Sequence, residues 1–158
     1  MCIRDRNSKE TVELLISHGA NINEKDNEGV TALHDAAFGN SKETAELLIS
    51  LGININEKNQ FGQTALHEAT KNNSKEIAKL LISHGANINE IDYFGRTALH
   101  YSAIQNNKDI VELLISHGAN INEKDNDGKT PLHLAVDHNY TEVAELLISH
   151  GATNSVHT

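Results

Sequence analysis

The chain has 158 residues, the length of one ordinary domain, and a formal net charge of −9 with no clustered basic residues. That balance excludes the electrostatic footprint of a nucleic-acid binder and attraction to an anionic membrane surface. Cys2 is the only cysteine, so there is no disulfide framework and a reducing, cytoplasmic setting is expected, while no apolar run reaches the roughly 18 residues of a membrane span.

Met1–Arg6 (Met-Cys-Ile-Arg-Asp-Arg) fits nothing that follows it and is read here as a scar outside the fold. From Asn7 onward one passage recurs: Asn-x-x-acid, an apolar stretch, then a Gly. It leads from Asn7 through Val12–Ser17 to Gly19 and returns at Asn40, Asn73, Asn106 and Asn139. The pairs Asn40 with Glu43, Asn73 with Glu76, Asn106 with Asp109 and Asn139 with Glu142 predict an Asn N-cap answered by an acid three residues on. Gly52, Gly85, Gly118 and Gly151 then predict helix ends in the left-handed conformation. Between these passages stands a second phrase, Thr-Ala-Leu-His at Thr31, Thr64 and Thr97 and Thr-Pro-Leu-His at Thr130, always 33 residues apart. Thr is a sound N-cap, and Pro131 fixes the register because Pro is favoured at the first helical position. Leu then points inward. Gly29, Gly62, Gly95 and Gly128 mark a tight turn two residues before each Thr. Each unit is therefore helix, turn, helix, loop, and a fixed period of this size predicts a stacked array rather than a globule.

The residues Asp-x-x-Gly-x-Thr-Ala/Pro-Leu-His, then Glu-x-x-x-Leu-Leu-Ile-x-x-Gly-Ala-Asn-Ile-Asn, resemble the ankyrin repeat family over residues 7–152. The resemblance implies an all-α solenoid of stacked antiparallel helix pairs with β-turn fingers. The units would be a partial repeat at 7–25 and full repeats at 26–58, 59–91, 92–124 and 125–157. Two departures stand out. Leu51 and Ile53 replace His and Ala and predict a locally different contact, and the tail after Ala152 abandons the pattern. The last apolar helix and the missing polar cap at either end suggest a stretch of a longer array, or otherwise a monomer with a partner at one end.

Eight of the ten histidines lie on two ladders of 33-residue spacing: His34, His67, His100 and His133, and His18, His84, His117 and His150, with only the Leu51 unit skipping the second. Rungs about 8–10 Å apart cannot converge on one metal whose ligands sit about 2 Å away. The first ladder is expected to bond its own Thr and nearby loop backbone, and the second to close helix C-termini. Asp125–Gly128 resembles a calcium loop but places Leu134 where a Glu is needed, and Gly128-Lys-Thr lacks the earlier glycine of a phosphate loop. Cys2 has no ordered base beside it in sequence. No catalytic constellation, cofactor site or metal site is predicted. The acidic stripe Glu43, Glu46, Glu76, Glu112, Glu142 and Glu145 reads as a solvated helix face.

The units disagree at their finger tips and on the free face of the first helix. The resemblance implies that these positions form a concave surface for a partner. They are Asn27, Glu28 and Val30; Gln60, Phe61 and Gln63; Tyr93, Phe94 and Arg96; and Asn126, Asp127 and Lys129, with Phe38, Lys71, Ile104, Gln105, Asp137 and His138 from the helices. Val30, Phe38, Phe61, Gln63, Lys71, Tyr93, Phe94, Arg96, Ile104 and Lys129 are the partner-binding candidates. Three of the six aromatics, Phe61, Tyr93 and Phe94, fall on adjacent tips, where large apolar groups mark a docking site. The expected function is non-catalytic binding of another protein, one presenting an apolar or aromatic anchor and a carboxylate for Arg96. Two alternatives stand beside it: a spacer within a longer array, favoured by the likeness of the units, and an accessory presenting substrate to a catalytic domain elsewhere.

Overall fold

The computed structural model describes Glu10, Glu13, Leu14 and residues 16–153; the segment 1–6 read above as a scar, Cys2 within it and the divergent tail from Asn154 lie outside the described residues. From Ala32 on, the described residues form four antiparallel helix pairs: α1 Ala32–Phe38 with α2 Lys42–Ser50, α3 Ala65–Lys71 with α4 Lys75–Ser83, α5 Ala98–Ile104 with α6 Lys108–Ser116, and α7 Pro131–Asp137 with α8 Thr141–Ser149. No strand occurs among the described residues. Each pair packs on the next, so the core is one continuous seam. Leu33, Leu66, Leu99 and Leu132 point into it from the first helices, and Leu48, Leu81, Leu114 and Leu147 meet them from the second. Buried Ala36, Ala69 and Ala103 keep the layers close.

The Thr phrase starts each first helix as its chemistry requires. Thr31, Thr64, Thr97 and Thr130 are extended and immediately precede α1, α3, α5 and α7. In all four units the Thr backbone N–H donates to Nδ1 of the His three residues on, at 3.1–3.2 Å. The imidazole thus takes the part that Glu or Gln plays in an ordinary capping box. Because Nδ1 accepts, the proton sits on Nε2, and that nitrogen donates to the next unit. His34 reaches the Gln63 carbonyl at 2.8 Å, His67 the Arg96 carbonyl at 3.0 Å and His100 the Lys129 carbonyl at 3.0 Å. The "nearby loop" of the sequence reading is therefore the neighbouring finger. The second ladder does lie at helix ends: Nδ1 of His84, His117 and His150 bonds the carbonyl four residues back.

The Asn N-caps are corrected. Asn40, Asn73, Asn106 and Asn139 have φ of 54–60°, in the left-handed region, and belong to the end of the preceding helix. The Asn40 N–H donates to the Ala37 carbonyl and the Ser41 N–H to the Ala36 carbonyl, the paired bonds that close a helix with a left-handed residue. Asn is the side chain that tolerates this conformation best after Gly. The N-cap is the next residue: Ser41, Ser74, Asn107 or Tyr140. The acids keep their place in the first turn, where the helix dipole favours them. Gly52, Gly85, Gly118 and Gly151 close the second helices with φ of 88–99°. Of the two replacements in the first full unit, Ile53 joins the core, whereas Leu51 stays 41% exposed.

The loops carry a further ladder. Oδ1 of Asn23, Asn56, Asn89 and Asn122 accepts the backbone N–H of Asn54, Asn87, Asn120 and Thr153 in the following unit, at 2.7–3.0 Å. Their Nδ2 groups extend the grip: Asn89 donates to the Gly118 carbonyl at 3.1 Å. Lys25 pairs with Glu57 at 2.5 Å and Lys58 with Glu90 at 2.7 Å. The units are thus joined by polar bonds of repeated geometry as well as by the apolar seam.

Leu99 is fully buried at the centre of this seam. Leu99→Ala is expected to cost roughly 2–5 kcal/mol in urea unfolding, and a midpoint equal to wild type would refute the assigned inward face. Burial also pushes the His67 and His100 imidazoles down, against the pull of the carbonyls they face. Below the ordinary value of about 6.5 the unfolded chain binds protons that the folded chain refuses, so this contribution is complete above that pH, begins to fall there and is lost as pH drops through the lowered folded-state value. Urea midpoints measured at falling pH should decline from about pH 6.5 downward; a flat profile to about pH 5.5 would contradict the neutral ladder.

Candidate binding face

Each finger is built by its leading Asp or Asn. Asp26, Asn59, Asp92 and Asp125 accept two backbone N–H bonds through Oδ1, from the residues two and four positions on, at 2.8–3.0 Å. Gly29, Gly62, Gly95 and Gly128 complete the turn with φ of 75–77°. At Gly62 the demand is doubled, because a Cβ there would stand 2.7 Å from the Tyr93 ring. Fingers also bond to one another at their tips. The Gln60 N–H donates to the Glu28 carbonyl at 2.7 Å, Tyr93 to Phe61 at 2.9 Å and Asn126 to Phe94 at 3.0 Å.

These fingers and the first helices enclose two neighbouring hollows. The first, about 290 Å³, is lined by Val30, Phe38 and Phe61 together with Glu28, Asp35 and Glu68. The second, about 320 Å³, is lined by Phe94, Arg96 and Tyr101 with Asn126 and Asp127. Gln63 and Lys71 form the wall between them.

That wall rests on a buried polar network. The Tyr101 hydroxyl donates to Asp92 Oδ2; Gln63 Nε2 donates to the same oxygen and to the Tyr101 oxygen, each at 3.1 Å; and Lys71 Nζ donates to Gln63 Oε1 at 3.1 Å. Burial pushes the Asp92 carboxyl up, but the bonds from Tyr101, Gln63 and two backbone N–H groups outweigh it and hold the group below its usual range. Burial and the Asp92 charge push the Tyr101 hydroxyl strongly up, so it stays a donor. The Lys71 ammonium and the Arg96 guanidinium each lie 5.8 Å from the centroid of the Tyr101 ring, and His67 meets the ring edge-on. Arg96 Nε bonds buried Asp125 at 3.3 Å.

The helix pairs, their capped starts and their bonded fingers repeat without interruption. A family model for ankyrin repeats matches residues 1–92, 52–125 and 89–157. The chain belongs to the ankyrin repeat family. Among curated proteins, none matches it. Ankyrin repeats are in general protein–protein interaction modules, and the all-α stacked solenoid is the architecture of this one. Among the described residues, no group of three or more His, Cys, Asp or Glu could hold a metal ion, and no helix is long and apolar enough to cross a membrane.

The ankyrin fold sorts the ten candidate residues unevenly. Val30, Phe38 and Phe61 line the first hollow, Phe94 and Arg96 the second, and Lys71 both. Tyr93 lies over Gly62 while staying 66% exposed. Ile104 and Lys129 line neither hollow, and Lys129 is paired with Asp137 at 2.5 Å. Gln63 requires a correction: it is not a free tip residue but is 3% exposed, with its amide spent on Asp92, Tyr101 and Lys71. The acidic stripe of the second helices is exposed, away from both hollows. Asp35, Glu68 and Tyr101 were absent from the sequence-based set. All three occupy the position just after the His of the repeated phrase, where the units carry Asp, Glu, Tyr and Leu, so disagreement among units was the available signal.

Tyr101→Phe removes the hydrogen bond to the buried Asp92 carboxylate and the one accepted from Gln63 Nε2, and leaves the ring in place. It should cost roughly 1.5–3 kcal/mol in urea unfolding, the range for bonds to charged partners. A loss below about 0.5 kcal/mol would show that the Gln63 and backbone bonds hold Asp92 unaided.

Proposed function

We propose that this ankyrin array is a non-catalytic module that binds a protein partner across its concave finger and helix face, centred on the second and third fingers. One observation carries the reading: Phe61, Tyr93 and Phe94 are 47%, 66% and 51% exposed on adjacent tips. The Phe61 and Phe94 rings lie 6.4 Å apart at 27°, and Phe38, 57% exposed, extends the apolar surface into the first hollow. Leu51, Ile91 and Ile148 are also exposed, but single aliphatic groups are ordinary on protein surfaces. A run of half-covered rings on bonded turns is not.

The mechanism is recognition by a rigid surface. Tip-to-tip backbone bonds and the imidazole ladder fix the fingers before any partner arrives, so little conformational entropy is lost on docking. Rigid aromatic anchors supply contact area at low entropic cost. The cations Lys71 and Arg96 stand beside Phe94 and offer a carboxylate of the partner a place to bond.

A pull-down from source-cell lysate tests this with two triple variants of matched helicity. One carries Phe61→Ala, Tyr93→Ala and Phe94→Ala; the control carries Glu46→Ala, Lys79→Ala and Glu112→Ala on the second helices. A protein retained by wild type and control, and depleted at least tenfold by the aromatic variant, is the expected result. Equal retention by all three would move the weight to a spacer role.

A further inference from the structure

The first hollow differs from the second in a way that names part of the partner. Its walls are apolar: Val30, Phe38 and Phe61. Its floor and rim carry three carboxylates, Glu28, Asp35 and Glu68. Glu68 is neutralised by Lys71, 3.5 Å away. Asp35 is half-buried, and among the described residues neither it nor the Glu28 carboxylate has a hydrogen-bonding or ion-pairing partner. Burial pushes the Asp35 carboxyl up, and the Asp26 and Glu68 charges add to the effect against the pull of nearby positive charge, His34 included. A cation brought into the hollow would offset the repulsion from Asp26 and Glu68 and favour the charged carboxylate. The phenyl rings would meet it with their negative faces, since cations sit favourably within about 6 Å of a ring centroid. Lys71 lines both hollows, but in the second it and Arg96 stand against a single lining acid, Asp127.

We infer that the first hollow is the pocket for a basic side chain of the protein partner, held between Phe38 and Phe61 and paired with Asp35 and Glu28. This rests on the protein-binding reading above and deepens it. An arginine fits the walls best, because its planar guanidinium stacks on rings and bonds carboxylates in pairs. The net charge of −9 favours the approach of a basic segment over a distance, and the hollow decides where its charge comes to rest.

The test uses the whole chain and a displayed library of random twelve-residue peptides as the probe. Selection is run on wild type. Binders are then measured against Asp35→Asn with Glu28→Gln, and against the Phe61, Tyr93 and Phe94 alanine variant, all matched to wild type in helicity and melting midpoint. Position 35 tolerates change, since its counterparts are Glu68, Tyr101 and Leu134. The expected result is enrichment of peptides with Arg or Lys at one fixed place. Alanine there should weaken binding tenfold or more, and the carboxylate double variant should reproduce that loss. Binders that need the aromatic tips but carry no fixed basic residue, or that ignore the double variant, would overturn this inference and leave the protein-binding reading standing. Binders indifferent to the aromatic variant, or no enrichment over an unrelated protein, would count against both.

Discussion

The bond from each imidazole to the next finger is the constraint on which the rest of this structure hangs. His34, His67 and His100 cap their own helices through Nδ1 and reach forward through Nε2. The carbonyls they grip belong to Gln63, Arg96 and Lys129. These are residues at which the units differ. The ladder therefore fixes the backbone of the variable positions and makes no demand on their side chains. The tip bonds follow the same rule, since the carbonyls of Glu28, Phe61 and Phe94 accept from the next finger. A side chain at those places can change from acid to phenyl with the register unmoved.

The uniformity of the polar contacts breaks at the centre. Gln63, Asp92 and Tyr101 form a buried polar network between the second and third units. Such a network strengthens its members when all are satisfied and is costly when one is not. No buried side-chain polar atom among the described residues lacks a partner. Its consequence is positional: Lys71 is tied through Gln63, and Arg96 through Asp125, so both cations are held near the Tyr101 ring rather than waving in solvent. Holding long side chains in place before binding removes part of their entropic cost.

The helices and their order were legible because period, cap and breaker agree at every level: Thr starts, Pro131 fixes the register, and Gly in the left-handed region stops. The Asn reading went wrong by one residue for a physical reason. Asn serves equally as an N-cap and as a left-handed closing residue, and only the backbone bonds of Asn40 and Ser41 separate the two. Gln63 was misplaced for another: a polar residue on a turn looks exposed until a partner 38 positions away, Tyr101, is brought over it. The asparagine ladder of Asn23, Asn56 and Asn89 was invisible as such, because each bond spans 31 residues and only stacking brings its ends together. The position after each His was legible in principle, since it differs in every unit.

Likeness among the units, taken alone, argues that the array carries little address information. The locations of the likeness argue otherwise. Thr, Leu and His of the repeated phrase, the Leu-Leu pairs and the loop asparagines all face a neighbouring unit or the seam between units. Three positions per unit line the concave side, even where, as at Gln63, Arg96 and Tyr101, the side chain also bonds a neighbouring unit. They read Val30, Asp35 and Phe38; Gln63, Glu68 and Lys71; Arg96, Tyr101 and Ile104; and Lys129, Leu134 and Asp137. No two units agree at any of the three. A chain under pressure only to space other domains would have no reason to keep the Thr-x-Leu-His phrase and the loop asparagines while varying these. Sameness where units touch each other, and difference where they face the concave side, is the division of labour that a stacked recognition surface requires.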